Sequence, residues 1–337
     1  AYRRTPTPDE IQRYLLLFDS VYRTDSTLKG YELAIKQCIQ AALISPKFLF
    51  RTESGSESTE PYRIDSFELA SRLSYFLWAS MPDAQLLDAA LKDNLHEPEL
   101  LAKQVRRMVK DEKADTLGNL FAAQWLGFGL IGNRIRLDPI DNPWCTDSLM
   151  QSMREESALF FVSLVRGNRS VAGLINAPYT FMNEELSREI YGLDSIRGNN
   201  MRQVALNDSE RAGILTHGSL MAIHSNYKET SPIKRGYWIL ETLLGKPLPP
   251  PPPNAGAFSE ELEHNDALTF QEKVELHSNR ASCKSCHSKI DPLGFSLENF
   301  DYFGRWRDSY RVWRPEPENH DIWMVLQSMQ LMDANEL

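Results

Sequence analysis

The stretch Cys283-Lys284-Ser285-Cys286-His287 constrains this 337-residue chain more than any other part of it. It has the form C-x-x-C-H, the pattern at which a c-type haem is attached covalently. Two thiols three positions apart lie on one face of a helical turn, where each can form a thioether with a haem vinyl group. His287 then offers its imidazole to the iron as the proximal ligand. The motif therefore predicts one covalent haem c, which would supply redox chemistry.

The composition narrows the range of partners. The formal net charge is −9, which argues against binding to nucleic acid or to an anionic membrane surface. No apolar run approaches the length of a membrane span, so no direct membrane span is expected. We expect one or more redox partner proteins, and a basic partner would fit the negative net charge best. The chain and its partners could belong to a multi-subunit complex.

The motif also bears on the cellular compartment. Haem is attached to C-x-x-C-H proteins outside the cytoplasm, so we expect a periplasmic, cell-envelope or extracellular protein. The first four residues, A-Y-R-R, are not a hydrophobic signal region, and we therefore expect a mature or trimmed product, or a piece of a longer precursor. Cys38 is expected to be a buried thiol, while a Cys38–Cys145 disulfide stays open as an alternative.

Apolar residues recur at helical spacing through most of the first 245 residues, so the chain is predicted to be mainly α. In the helix beginning at Asp65-Ser66, the expected apolar stripe is Leu69, Leu73, Phe76 and Leu77. One short strand is expected, at 203–206. Helices are predicted to begin at Thr7, Asp65, Asp208 and Ser231 and to cover residues 31–44 and 146–166. Shorter helices are predicted near 83–91, 97–110 and 113–126.

A proline run marks the predicted domain boundary. Five consecutive prolines, Pro249–Pro253, favour a stiff polyproline II segment. Residues 247–253 are therefore predicted to be a spacer between a multi-helix N-terminal module (1–246) and a small C-terminal cytochrome c-like helical haem module (254–337). The spacer is either packed along the domain surface or a flexible hinge.

From Leu276 to Arg307 the chain reads LHSNRASCKSCHSKIDPLGFSLENFDYFGRWR. This stretch resembles a large family of exported planctomycete and verrucomicrobial proteins of unknown function. Family members have cytochrome-like C-terminal domains with C-x-x-C-H followed by I/M-D-P-x-G-F, L-E-x-F-D and G-x-x-R. Further stretches with the same resemblance are Y-R-R at 2–4, S-P-K-F-L-F-R at 45–51, L-A-S-R-L-S-Y-F-L-W at 69–78, G-I-L-T at 213–216 and T-S-P-I-K-R-G at 230–236.

The resemblance covers about residues 1–307. It implies a haem c protein of bacterial envelope or extracellular type, whose reaction is not established. The chain departs from the family pattern at both ends. Family members commonly carry an additional cytochrome-like domain upstream, which we do not expect within these 337 residues, and the usual C-terminal domain is not recognisable after Arg307.

The residues after the motif suggest how the haem would be held. Loops that follow C-x-x-C-H helices commonly offer a backbone carbonyl to the proximal imidazole N–H, and Pro292 or Leu293 is the candidate here. Phe295 is expected to cover the haem face. Arg305 and Arg307 are expected to pair with haem propionates, with surface salt bridges as the alternative.

The second axial ligand of the iron stays open. His277, six residues before the first motif cysteine, is the candidate we favour and matches a histidine of the resembling family. An open or water-ligated iron is also possible. The other candidates are two groups, His217, Met221 and His224 on one predicted helix face and Met324, Met329 and Met332 in the tail.

Electron transfer, by a carrier or by the cytochrome subunit of a larger redox complex, is the leading functional hypothesis. One alternative is a haem-dependent, peroxidase-like oxidoreductase with an open distal site and a polar distal group such as His217, His224 or Arg235. Another is a scaffold subunit in which haem is structural. A zinc site at the motif is disfavoured because adjacent Cys and His rarely both bind one tetrahedral zinc ion.

Overall fold

The computed structural model describes residues 2–51, 53, 55, 60–136, 142–206, 210–226, 229–250, 268, 270–313 and 321–325. This part of the chain is mainly α-helical, as the apolar periodicity predicts. None of its helices combines the length and the apolar character needed to cross a bilayer. Backbone contacts divide the chain into two compact units, residues 1–116 and 117–337.

The first unit is built from helices whose starts are fixed by local caps. The Thr7 hydroxyl accepts from the Glu10 amide at 3.3 Å, and the Glu10 carboxylate accepts from the Thr7 amide at 2.8 Å. A Thr27 cap starts the second helix three residues before the predicted position. The helices are α1 (Pro8–Tyr22), α2 (Leu28–Leu43), α3 (Pro46–Leu49), α4 (Ser66–Trp78), α5 (Ala84–Leu91) and α6 (Pro98–Lys110), followed by a 3₁₀ turn at Glu112–Asp115.

The buried face of α4 differs from the predicted apolar stripe. Phe76 is 57% exposed, whereas the small residues Ala70 and Ser74 are fully buried. These small side chains allow close approach of the neighbouring helices α5 and α6, and the Trp78 indole N–H donates to the Met108 carbonyl at 2.9 Å. Close packing selects small residues at such a face, a preference that apolar periodicity does not register.

The second unit begins with a π-helical turn, Leu117–Ala122, and α7 (Ala123–Trp125). The predicted long helix is confirmed as α8 (Asp147–Arg166), with the Thr146 hydroxyl as its N-terminal cap and Gly167 after its end. The remaining helices are α9 (Gly173–Asn176), α10 (Glu184–Glu189), α11 (Gly218–Ile223), α12 (Pro232–Trp238), α13 (Phe270–Ser278) and α14 (Ala281–Phe295), with a π turn at Ile239–Leu243 and 3₁₀ turns at Phe128–Leu130 and Ile214–Thr216.

Two small antiparallel sheets complete this unit. The predicted strand is confirmed as β2 (Arg202–Ala205), but its partner β1 (Tyr179–Met182) was not expected. The tail was predicted to belong to a helical module, and instead β3 (Ser309–Trp313) pairs with β4 (Asp321–Val325). Strands β1, β3 and β4 were not predicted, because strand pairing joins separate segments, about 20 residues apart in the first sheet, and leaves no mark within either segment.

The helix predicted from Asp208 is shorter than expected. Residues 208 and 209 lie outside the described part of the chain, and α11 begins only at Gly218. His217 precedes it in an extended conformation, with φ −71° and ψ 136°. This break ends the preceding 3₁₀ turn and separates His217 from the helical face on which it was placed.

The backbones of α12 and α14 lie directly against each other. A Cβ atom added at Gly236 would lie 2.2 Å from the Ile290 carbonyl oxygen, and one added at Gly294 would lie 1.9 Å from the Pro232 carbonyl oxygen. Only glycine allows this approach, because the clashing atoms belong to the backbone of the opposite helix.

The contact between α12 and α14 joins segments that were predicted to belong to separate modules. Apolar residues from both sides of the proline run, Trp238 and Ile239 before it and Ile290 and Leu293 after it, share one core. The compact units therefore do not coincide with the predicted modules 1–246 and 254–337. Residues 251–253 of the predicted spacer lie outside the described residues, so the conformation of the spacer as a whole stays a prediction.

The glycine contact predicts a stability effect. Gly236→Ala forces the two helix backbones apart, and we expect it to lower the free energy of unfolding by about 1–3 kcal/mol, the usual cost of overpacking. Gly55→Ala is the matched control, because a Cβ atom there meets no atom within 4 Å. Urea unfolding of both variants measures the effect, and equal midpoints would contradict the proposed packing.

Candidate haem site

The C-x-x-C-H motif lies on α14, as its spacing requires. Cys283, Cys286 and His287 occupy adjacent turns, and both cysteines are free thiols. Cys283 is buried, and Cys286 packs against the apolar core of the second unit. The side chain of His287 is 15% exposed. The helix therefore presents two reduced thiols and an imidazole from one region of its surface.

The His287 imidazole is oriented by a carboxylate on the same helix. Its Nδ1 lies 2.9 and 3.1 Å from the two carboxylate oxygens of Asp291, one turn further on. Because the ionised Asp291 carboxylate can only accept a hydrogen bond, the proton is assigned to Nδ1. Nε2 then has no hydrogen bond among the described residues. This differs from the expected Pro292 or Leu293 carbonyl, since these carbonyls accept from the Ser296 amide and hydroxyl.

These residues fit a covalently attached haem. An axial histidine needs one free ring nitrogen and a partner for the other, which is the state of His287. Thioether formation needs two reduced thiols at the C-x-x-C spacing, and Cys283 and Cys286 supply them. No cluster of three or more His, Cys, Asp and Glu side chains among the described residues is arranged to hold a bare metal ion.

Among the second-ligand candidates whose side chains the structure describes, His277 lies beside His287. The two ring centroids are 5.1 Å apart in an edge-to-face arrangement, and His277 is buried. The rings are in direct contact, so His277 can bind the opposite side of an iron only if α13 moves away from α14.

The other histidine and methionine candidates have different surroundings. Both ring nitrogens of His217 lie near hydroxyl groups, Nδ1 at 3.0 Å from Ser157 Oγ and Nε2 at 3.2 Å from Thr180 Oγ1. Met221 is buried in the core, and the His224 ring stacks on Trp238 at 4.9 Å. The described residues do not include Met329 and Met332, and Met324 is described only as part of the β4 backbone.

The two arginines predicted to bind propionates have protein partners. Arg307 donates from Nε to the Glu298 carbonyl at 3.1 Å, and its Nη2 lies 3.3 Å from the Glu298 carboxylate. The guanidinium of Arg305 lies 3.3 Å from the centre of the Trp144 ring. For Arg307 the structure therefore has the salt bridge given as the alternative. Phe295, at the end of α14, is half-buried.

A buried arginine holds the segment that follows α14. Arg235 is fully buried and donates to the carbonyls of Leu297, Phe300 and Asp301, each at 2.8 Å. Burial lowers the pKa of Arg235 to about 10, so it remains charged at neutral pH. Its shortest hydrogen bonds go to the backbone, and longer ones reach Ser225 Oγ at 3.2 Å and the Glu298 carboxylate at 3.4 Å. These contacts give Arg235 a structural role in place of the suggested distal one.

A second buried network surrounds His217. The fully buried Glu156 accepts from the Thr180 hydroxyl at 2.6 Å and from the Tyr191 hydroxyl, and its carboxylate is 3.8 Å from His217 Nε2. Burial raises the pKa of Glu156 to about 7. Burial, together with the charge of Arg211, lowers the pKa of His217 to about 3. At neutral pH the network therefore holds an uncharged imidazole beside a carboxyl group near its titration midpoint.

The sequence analysis did not single out Glu156, Asp291 or Arg211. One signal was available for Glu156, an acidic residue on the apolar face of a long helix, where a charge is normally absent. The spacing of four residues between His287 and Asp291 also places them on one helix face.

Three segments of this chain match domain families of unknown function. Residues 1–53 match PSD5 (DUF1595), residues 64–193 match PSD4 (DUF1592) and residues 211–310 match PSCyt3 (DUF1588). These are the planctomycete cytochrome c-like domain families. The third segment contains α12, α14 and the C-x-x-C-H motif. No curated protein and no solved structure matches the chain.

The Glu156 network predicts a specific pH dependence of stability. The folded-state pKa of Glu156 is about 7, above its value of about 4.5 in the unfolded chain, so its contribution is fully present below pH ~4.5 and is lost as the pH rises through ~7. Glu156→Gln cannot ionise. We expect its free energy of unfolding, relative to that of wild type, to increase by about 3 kcal/mol between pH ~4.5 and ~8.

Chemical unfolding at a series of pH values measures this difference. Glu155→Gln is the control, because this substitution removes the same kind of carboxylate from the adjacent position, where the side chain is exposed. The opposite contribution of His217, which is lost as the pH falls from ~6.5 towards ~3, is present in all three proteins and cancels when they are compared. A pH-independent difference for Glu156→Gln would show that Glu156 titrates normally.

Proposed function

We propose that this protein binds one haem c covalently through Cys283 and Cys286 and transfers electrons, as a carrier or as the cytochrome subunit of a larger redox complex. The observation that carries the proposal is the state of His287, whose Nδ1 is bonded to Asp291 while Nε2 has no hydrogen bond within the described residues. The likeness of residues 211–310 to the PSCyt3 family supports it. The haem would supply one-electron redox chemistry.

The residues of the chain would set the properties of that haem. Asp291 fixes the orientation of the imidazole and strengthens His287 as a donor to the iron, because a carboxylate partner increases the electron density of the ring. A stronger donor favours ferric iron and lowers the reduction potential. Cys286, packed on the apolar core, would hold one edge of the macrocycle against low-dielectric surroundings.

The surroundings of two of the three candidate distal groups, His217 and Arg235, favour electron transfer over enzymatic catalysis. A peroxidase-like reaction needs a polar side chain that can exchange protons with a substrate. His217 is fully buried with both ring nitrogens near hydroxyl groups, and Arg235 is bonded to backbone carbonyls. Neither group is positioned to meet a substrate.

The remaining parts of the proposal concern place and partner. We propose that the chain is exported, because haem c attachment takes place outside the cytoplasm, and that its redox partner is basic. The net charge of −9 supports such a partner through electrostatic steering. An association rate with the partner that falls as ionic strength rises would be consistent with this.

Covalent haem attachment can be tested directly. The full chain, expressed in a host able to mature c-type cytochromes, is expected to give a c-type pyridine haemochrome spectrum and to retain its haem during acid–acetone extraction. Cys283→Ser with Cys286→Ser is expected to lose the extraction-resistant haem. Cys145→Ser is the control, because Cys145 is a buried thiol outside the motif. A wild-type protein without a Soret band would refute the proposal.

Asp291→Asn tests the role of the carboxylate. Asparagine preserves the size of the side chain but removes its charge, so we expect the midpoint potential of the haem to rise by several tens of millivolts. Glu275→Gln removes an exposed carboxylate from the neighbouring helix α13 and is expected to change the potential little. Spectroelectrochemical titration measures both variants. Equal shifts would show that Asp291 acts only through the net charge of the region.

A further inference from the structure

The first compact unit contains a cavity of about 540 Å³. Its walls come from the start of the chain, from α3 and the residues after it, and from the first half of α4. Five cationic and three acidic side chains line it, an excess of positive charge in a chain whose net charge is −9. The charged lining residues are Arg3, Arg4, Lys47, Arg51, Arg72, Glu53, Asp65 and Glu68.

One pair of cations in this cavity has a carboxylate between its members. Arg4 and Lys47 lie over the ring of Tyr2, at 5.4 and 5.8 Å from its centre. The Glu10 carboxylate is 2.9 Å from Arg4 and 3.2 Å from Lys47. Its hydrogen bonds with Arg4 are the largest of the contributions that lower the pKa of Glu10 to about 2. The positive charges of Arg4 and Lys47 beside the Tyr2 ring therefore have a counter-charge in the Glu10 carboxylate.

A second pair of cations lies over an aromatic ring in the same way, but no carboxylate of the described residues pairs with them. Arg3 and Arg51 lie over the ring of Tyr75, at 5.1 and 4.6 Å from its centre. Arg3 donates to the Tyr75 hydroxyl at 2.9 Å and to the backbone carbonyls of residues 47, 48 and 50. Arg51 makes no hydrogen bond and no ion pair within the part of the chain that the structure describes. Two guanidinium charges thus share one ring, and no carboxylate of the described residues pairs with either of them.

The acidic residues of the lining are bonded elsewhere. Glu53 forms a two-pronged ion pair with Arg72, with N–O distances of 2.5 and 2.6 Å. Asp65 and Glu68 form the capping box of α4, where each carboxylate accepts a backbone amide of the other residue. None of the three carboxylates lies between Arg3 and Arg51.

We propose that this cavity binds a small molecule that carries an oxyanion, with a carboxylate, phosphate or sulfate group seated between Arg51 and Arg3. The oxyanion would take the place that Glu10 occupies in the other pair. The planar guanidinium fork of Arg51 matches such groups in two-pronged geometry. The Ser71 hydroxyl and the rings of Phe50 and Phe67 also line the cavity and would contact the rest of the molecule. This site is independent of the proposed haem.

Two probes distinguish the chemical classes of oxyanion. Inorganic phosphate and acetate are titrated separately into the full chain at constant ionic strength, maintained with sodium chloride, and the binding heat and the shift in unfolding temperature are recorded. A response to phosphate alone assigns a tetrahedral oxyanion, and a response to acetate alone assigns a carboxylate. No response to either probe overturns the proposal.

Variants of Arg51 assign the site. We expect Arg51→Gln to weaken binding of the responding probe at least tenfold and Arg51→Lys to weaken it less, because lysine keeps the charge and loses the fork. Arg13→Gln, which removes an exposed arginine of α1, is the matched control and should bind as wild type does. Equal affinity of Arg51→Gln and wild type overturns the proposal. So does a lower unfolding temperature of Arg51→Gln without probe, which would give Arg51 a role in the fold instead.

Discussion

The close approach of α12 to α14 is the contact on which the candidate haem site depends. Glycines at 236 and 294 let the two helix backbones meet, and Arg235 donates to three carbonyls just beyond α14. The contact anchors the helix that carries the C-x-x-C-H motif to a core formed from residues on both sides of the proline run. A rigid support of this kind maintains the geometry of an axial ligand and its hydrogen-bond partner.

The second unit accommodates its buried ionisable groups in two ways. Arg235 keeps its charge because the Glu298 carboxylate lies 3.4 Å away and several carbonyl oxygens accept from the guanidinium. Glu156 is held partly neutral, since two hydroxyl donors compensate only part of the cost of burying a carboxylate. Both solutions leave these groups hydrogen-bonded within the protein.

The family matches and the structure contribute different information. The matches connect the chain with planctomycete cytochrome c-like domains, but the functions of these families are unknown. The structure adds the Asp291 partner of His287 and two arginines beside Tyr75 that form no ion pair with any described carboxylate. The first feature belongs to the redox proposal, whereas the second points to a ligand that electron transfer does not require.

The sequence by itself determined the features whose causes are local. The caps at Thr7, Asp65 and Thr146 fixed helix starts, and the C-x-x-C-H spacing placed the motif on one helix face. Only the tertiary structure decided which residues meet across the chain: β1 with β2, Glu156 with Tyr191, and the glycine of α12 with the backbone of α14. Hydrogen-bonded caps act within four residues, whereas burial and backbone approach depend on segments far apart in sequence.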